Sequence, residues 1–320
     1  MRAFTTWSAF LRRAGPALVL LPALGAAALA EPREVRVGFY VTSISDIDLA
    51  DGSFRIAVDA WFIDPAARFD AERDLEVVAR TATVTTLDRE RTPDGAGYVF
   101  ARIEAQVDQR FNLGDFPFDR QTLALHLEAS ESTARIVFAP DAAGTRVSDF
   151  VSLQSWNITG VDVTTDVRTY DTGFGYDEPG ESYAMATLSV EMERLRSPVL
   201  IDDFIGFTFA LLIAAMTFLV PPKELGVRVG MATGSLFAAV FNLYRLGDTV
   251  GFRAEFGMVD NLSFLVFGAI TTTLVISLVA HRLSTTRGIE QANRVDNRLG
   301  LAAILVFSVL VTLVVRSATD

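Results

Sequence analysis

The side chains best able to carry covalent chemistry are scarce in this chain. There is no cysteine, and the two histidines, His126 and His281, lie far apart in sequence. A thiolate metal site, a disulfide framework or a serine–histidine triad has almost nothing to work with, so no catalytic set, metal site or cofactor is expected. Carboxylates, by contrast, are plentiful: between Glu31 and Pro198 stand 30 Asp plus Glu against 16 Arg and no Lys, a net of −14. Such a field turns nucleic acid away and concentrates cations, so the available chemistry is binding and charge steering. One short segment gathers several special residues, Phe111-Asn112-Leu113-Gly114-Asp115-Phe116-Pro117-Phe118-Asp119-Arg120-Gln121. Pro117 fixes a rigid turn, Phe116 and Phe118 offer apolar anchors, and Asp119 supplies a charge.

Two very different halves must carry these residues. The 320-residue chain is 50% hydrophobic, too apolar for one ordinary soluble domain, yet it keeps a large polar portion. Arg2, Arg12 and Arg13 precede an apolar run from Ala14 to Ala27 and the small-residue site Ala28-Leu29-Ala30, which reads as a signal peptide over residues 1–30. Residues 31–197 read as an all-β immunoglobulin-like sandwich, because short alternating segments are broken by turn residues. Phe54, Ile56, Val58 and Ala60 form one such row. Strands are expected over Val35–Ile44, Ser53–Phe62, Leu75–Val84, Tyr98–Val107, Gln121–Leu127, Arg135–Phe138, Trp156–Val167 and Tyr183–Glu193.

At Ser197-Pro198 the composition changes, and residues 198–320 hold four apolar stretches, about Val199–Val220, Val227–Leu246, Val259–Ala280 and Leu299–Val315. Each approaches the ~20 residues a helix needs to cross a bilayer core, and each is apolar nearly all round. Asp202 and Asp203 belong at the interface, since charge at a helix centre costs roughly 2.5 to 3.5 kcal/mol on insertion scales. The segment from His281 to Arg298 holds Arg282, Arg287, Arg294 and Arg298 against Glu290 and Asp296, a basic loop expected on the cytoplasmic side. Together with the export signal, this puts the sandwich outside a bacterial inner (cell) membrane, on a multi-pass protein.

An exported sandwich followed directly by four helices, with Phe116-Pro117-Phe118-Asp119-Arg120-Gln121 matching an F-P-F-D-x-Q core, resembles the pentameric ligand-gated ion channels. The likeness is to the cysteine-less prokaryotic branch of the Cys-loop superfamily, whose signature loop docks on the membrane domain. It covers nearly the whole mature chain, including Val37–Trp61, Glu193-Arg194 before the first span, and Pro221-Pro222-Lys223-Glu224-Leu225-Gly226 before the second. It implies a homopentamer with membrane lipid, permeant inorganic ions and a small-molecule agonist or protons as partners. It further implies a gating junction at Phe116, Pro117, Phe118, Asp119 and Arg194, with an Asp119–Arg194 ion pair and Arg196 as the substitute. Whether that pair couples the domains or is a solvated surface pair worth ~0 to 1 kcal/mol stays open at this level.

In that family the second helix lines the pore. Spacing of three and four gives Gly230, Gly234, Phe237, Phe241, Tyr244 and Asp248 as one stripe, and Val229, Thr233, Leu236, Val240 and Leu243 as its neighbour. Asp260 at the third helix start favours the first stripe, and Asn242, matched to a family asparagine, favours the second. Glu224 and Asp248 at the two mouths favour cations, whereas Lys223 and Arg228 cut the other way unless Arg228 points between helices. The agonist would sit beneath the Thr169–Ser182 loop, with Tyr170, Phe174, Tyr176 and Tyr183 caging an amine, and with Glu128 and Glu131 nearby. The alternative is a non-conducting membrane-anchored ligand sensor, and a tethered enzyme ranks below both.

Overall fold

The computed structural model describes residues 31–173, 175, 180–251 and 256–318, with the side chains of all but 196–201. The expected signal peptide and the Arg196 side chain lie outside the described residues.

Period-two alternation builds a two-sheet sandwich. The strands are β1 (Arg33–Asp48), β2 (Ser53–Asp64), β3 (Leu75–Val78), β4 (Thr81–Arg91), β5 (Gly97–Asp108), β6 (Arg120–Ser132), β7 (Ile136–Pro140), β8 (Arg146–Val147), β9 (Trp156–Thr169) and β10 (Ser182–Arg194). A short helix, α1 (Ala71–Asp74), precedes β3. One sheet runs β4-β5-β2-β1-β7, with β8 also on β1; the other runs β3-β6-β10-β9. Their facing rows fill the core: Val35, Val37, Phe39 and Val41 from β1 and the Phe54–Phe62 row from β2 meet Leu123, Leu125 and Leu127 from β6 and Ala186, Leu188 and Val190 from β10. Full burial of each larger side chain is worth about 1.5–3 kcal/mol, and without disulfides this packing holds the sandwich together.

One expected strand is corrected. The run Leu75–Val84 divides into β3 and β4, which belong to different sheets. The chain crosses between sheets at Ala79-Arg80, where the Arg80 N–H already donates to the Gln106 carbonyl (2.8 Å). Alternation of apolar and polar residues reports which face is buried; it carries no information about a change of hydrogen-bonding partner.

Four helices follow that are long and apolar enough to cross a membrane, which makes this a multi-pass membrane protein. They are α2 (Arg196–Met216, extended by a 3-10 turn over Thr217–Leu219), α3 (Leu225–Val250), α4 (Met258–Thr286) and α5 (Ile289–Ser317). Pro221 and Pro222 end the first of them, since proline lacks the N–H that the helix ladder needs. The expected basic loop from His281 to Arg298 is helix on both sides of Arg287-Gly288. Hydropathy marks where the hydrocarbon ends, whereas Arg, Gln, Glu and Ala keep the backbone helical beyond it. Gly288, at φ +90°, makes the turn.

Within the bundle α4 is central and α5 peripheral: 44% of the α4 span is buried against 6% of the α5 span. Helix α3 turns Arg228, Ala232, Ser235, Ala239, Asn242, Leu246 and Val250 inward. Asn242 stitches α3 to α2, accepting from the Gly206 N–H (3.1 Å) and donating to the Asp203 carbonyl (2.9 Å). Gly206 is required there, because a Cβ would lie 2.5 Å from the Asn242 Oδ1. Asp203 also pairs with Arg245 (3.0 Å).

Candidate functional site

The loop between β5 and β6 is tied to the end of β10 by a buried ion pair. Arg194 closes β10 with Nε 2.6 Å from Asp119 Oδ1 and Nη2 3.0 Å from Asp119 Oδ2, a two-pronged contact. The two side chains are 5% and 2% exposed, so this is no solvated surface pair. The guanidinium also lies 4.0 Å from the Trp156 ring centroid and 4.7 Å from that of Phe116, between two aromatic faces. Gln121 completes the arrangement. Its amide donates to Asp119 Oδ2 (2.8 Å) and to the Asn112 carbonyl (2.6 Å), and its oxygen accepts from the Asn112 N–H (3.2 Å). A cysteine-free loop is thereby closed at its base by hydrogen bonds, and one of them fixes the carboxylate that holds Arg194.

The same loop touches the membrane helices directly. Phe116, wholly buried beside the cis Phe116-Pro117 bond, packs on Phe204 of α2 with ring centroids 6.5 Å apart. Pro117 is buried and Phe118 half-buried. The Gly114 carbonyl accepts from the Met258 N–H at the start of α4 (2.9 Å). The β1–β2 turn makes the companion contact, because a Cβ on Gly251 would lie 2.6 Å from the Ala50 Cα. Gly251 has φ +66° and ψ −168°, a region nearly closed to other residues. Gly251→Ala should therefore lower unfolding stability by at least about 1–3 kcal/mol, read as a drop in the thermal midpoint of the solubilised protein.

A second cluster lies on the outer face of the β3-β6-β10-β9 sheet. The Tyr170 hydroxyl donates to both carboxylate oxygens of Glu128 (3.1 and 2.9 Å), and its ring meets Tyr183 edge-on at 5.8 Å. The Tyr183 hydroxyl donates to Glu181 (2.7 Å), and the Arg168 guanidinium sits 4.9 Å from the Tyr170 centroid. Burial first, then the Glu128 carboxylate, holds the Tyr170 phenol above its ordinary pKa, so it stays a donor at neutral pH. Register places Glu76 opposite Glu128. Tyr170, Tyr183 and Glu128 are thus brought together. Glu131 is not among them, for its carboxylate meets Arg33 and Arg135 (3.4 Å each). Phe174 and Tyr176 lie outside the described residues.

His126 stands on this same face, Nδ1 2.8 Å from the Thr187 hydroxyl. Burial, and secondarily Arg168, holds its pKa below the ordinary 6.5. The unfolded chain then takes up this proton at a higher pH than the native one does. The stability involved is complete above pH 6.5 and is lost as pH falls from there toward the folded-state pKa. His126→Gln should flatten the fall of the unfolding midpoint just below that pH.

All six residues Gly230, Gly234, Phe237, Phe241, Tyr244 and Asp248 lie on the face of α3 that the rest of the chain leaves uncovered. Phe237, Phe241 and Tyr244 are 60%, 73% and 72% exposed. In the neighbouring row Thr233 and Leu236 are exposed, while Val229, Val240 and Leu243 are half-buried. Glu224 is exposed at the α3 start, and Arg228 faces away, buried against Asp296.

The contacts of Trp156, Arg168, Glu76 and Asp296 at these sites are not assigned by the sequence alone. An acid set between Arg294 and Arg298 and a tryptophan opening a strand were the signals for Asp296 and Trp156. Glu76 and Arg168 become partners of this face through strand register alone. No protein-family model matches the chain, and no curated protein does.

Proposed function

We propose that this chain is the subunit of a homopentameric, cation-permeable ligand-gated ion channel in a bacterial cell membrane, with the sandwich outside. The observation that carries the reading is the character of the uncovered α3 face. Helix α3 is the least apolar of the four spans. Its free face mixes Gly230, Thr233, Gly234, Tyr244 and Asp248 with phenylalanines, whereas α5 exposes Leu301, Leu305, Val306, Val309 and Leu313. The second surface suits lipid; the first suits water and neighbouring helices. In a closed ring the face opposite a subunit's own bundle turns to the axis, which favours the Gly230–Asp248 stripe.

The agonist in this reading is a small amine held by Tyr170, Tyr183 and Glu128, with its cation against a tyrosine ring and the carboxylate. Its effect passes through the β10 end and Arg194 to Asp119, and thence to the contacts at Gly251 and Met258. Cation preference follows from Glu224 and Asp248 at the mouths, with the Arg228 charge neutralised away from the axis. Purified protein in liposomes tests the reading. Agonist-evoked cation flux is expected, and tight ligand binding with no flux would instead identify a non-conducting sensor. Glu128→Gln should weaken the apparent amine affinity by roughly tenfold, the effect of losing about 1.4 kcal/mol of charge-assisted bonding. Opening by acid alone, unaltered by amines, would assign protons as the agonist.

A further inference from the structure

Arg228 and Asp296 form the most deeply buried ion pair among the described residues, at 0% and 2% side-chain exposure. Arg228 Nη1 donates to Asp296 Oδ1 (2.8 Å), and Nη2 to Oδ2 (2.6 Å). Nε and Nη2 both donate to the Val220 carbonyl at the end of the first span. The guanidinium is therefore held by the α2–α3 connection on one side and by the outermost helix on the other. It lies two residues from Gly230, about 200° around the helix, on the face turned from the uncovered row.

An arginine so placed is costly to bury without its partner, and its long side chain reaches water readily once released. We infer that Asp296, a residue of the peripheral helix, is a determinant of ion selectivity: it pins the Arg228 charge between helices and keeps it off the proposed conduction path. This rests on the channel reading given above. Released into the Glu224 end of a pore lined by identical subunits, one arginine per subunit would form a ring of positive charge there. Such a ring attracts anions and repels cations. At the α3 start the exposed Glu224 stands beside the exposed Lys223, so an added arginine ring would outweigh the Glu224 ring there.

The experiment compares reversal potentials in asymmetric sodium chloride for the full-length protein in liposomes. Asp296→Asn should lower the cation-to-anion permeability ratio several-fold. The apolar pair Arg228→Met with Asp296→Leu should assemble and retain the unmodified ratio. Should Asp296→Asn fail to assemble, Arg228→Lys serves, since it keeps both charges but lacks the planar fork that holds Asp296 and the Val220 carbonyl together. A lowered ratio in that variant supports the inference. An unchanged ratio in whichever single variant conducts overturns it while leaving the channel intact. If the unmodified protein conducts no ions, the channel reading itself fails and takes this inference with it.

Discussion

Asp119→Asn should destabilise the solubilised protein by about 3–5 kcal/mol and abolish agonist-evoked flux, because it strands a buried guanidinium without its counter-charge. Arg194→Met should do comparable damage from the other side, leaving a buried carboxylate with Gln121 as its remaining side-chain donor among those described above. The double variant Asp119→Leu with Arg194→Met should recover much of the stability, since two apolar groups need no counter-charge. It should not recover gating, because the two-pronged contact between the β5–β6 loop and β10 would be gone. Thermal unfolding and liposome flux on the same preparations separate the two effects. If both single variants unfold and respond like the unmodified protein, the junction has no coupling role. The burial sets the expected size of the stability effect: a solvated pair would be worth ~0 to 1 kcal/mol, whereas this pair lies against Trp156 and Phe116.

In the proposed channel, Phe241→Ser should cause a leak at rest, with basal cation flux raised about tenfold or more, equivalent to ~1.4 kcal/mol off the conduction barrier. Phe237 and Phe241 are one helical turn apart on the uncovered α3 face, and rings of both would form a constriction that expels water when narrow. A serine in that ring lets water remain. The control is Leu236→Ser in the neighbouring row. If that variant leaks and Phe241→Ser does not, the phenylalanines pack between subunits and the pore is lined by the Val229–Leu243 row. The chain has no cysteine, so single cysteines introduced along α3 can be labelled without background. Modification by a water-soluble reagent should recur at the three- and four-residue spacing of the Gly230–Asp248 row.

How far these sites could be read from sequence depended on the kind of information each required. The β2 row from Phe54 to Phe62 and the four apolar stretches were visible because burial and bilayer thickness act on local composition. The helix ends were not: Ala292, Arg294 and Asp296 look like a loop in a hydropathy profile, yet all three lie in α5 and Asp296 is buried. The resemblance of Phe116–Gln121 to a family's signature loop singled out Asp119, but its burial was not legible, because Trp156 comes from a strand 37 residues away in the numbering. Tyr170 with Glu128 is a similar case. Alternation put Glu128 on a face, and only the pairing of β6 with β10 and of β10 with β9 brought the tyrosines to it. Glu131, three residues on, lies instead with Arg33 and Arg135, since a strand reverses its side chains at each residue.

The oligomer itself is the most direct test. Particle images of the detergent-solubilised full-length protein should show a five-fold ring with an axial opening surrounded by α3 from every subunit. A monomer, or a ring whose axis is closed by packed side chains with α3 turned outward to detergent, would contradict the channel reading.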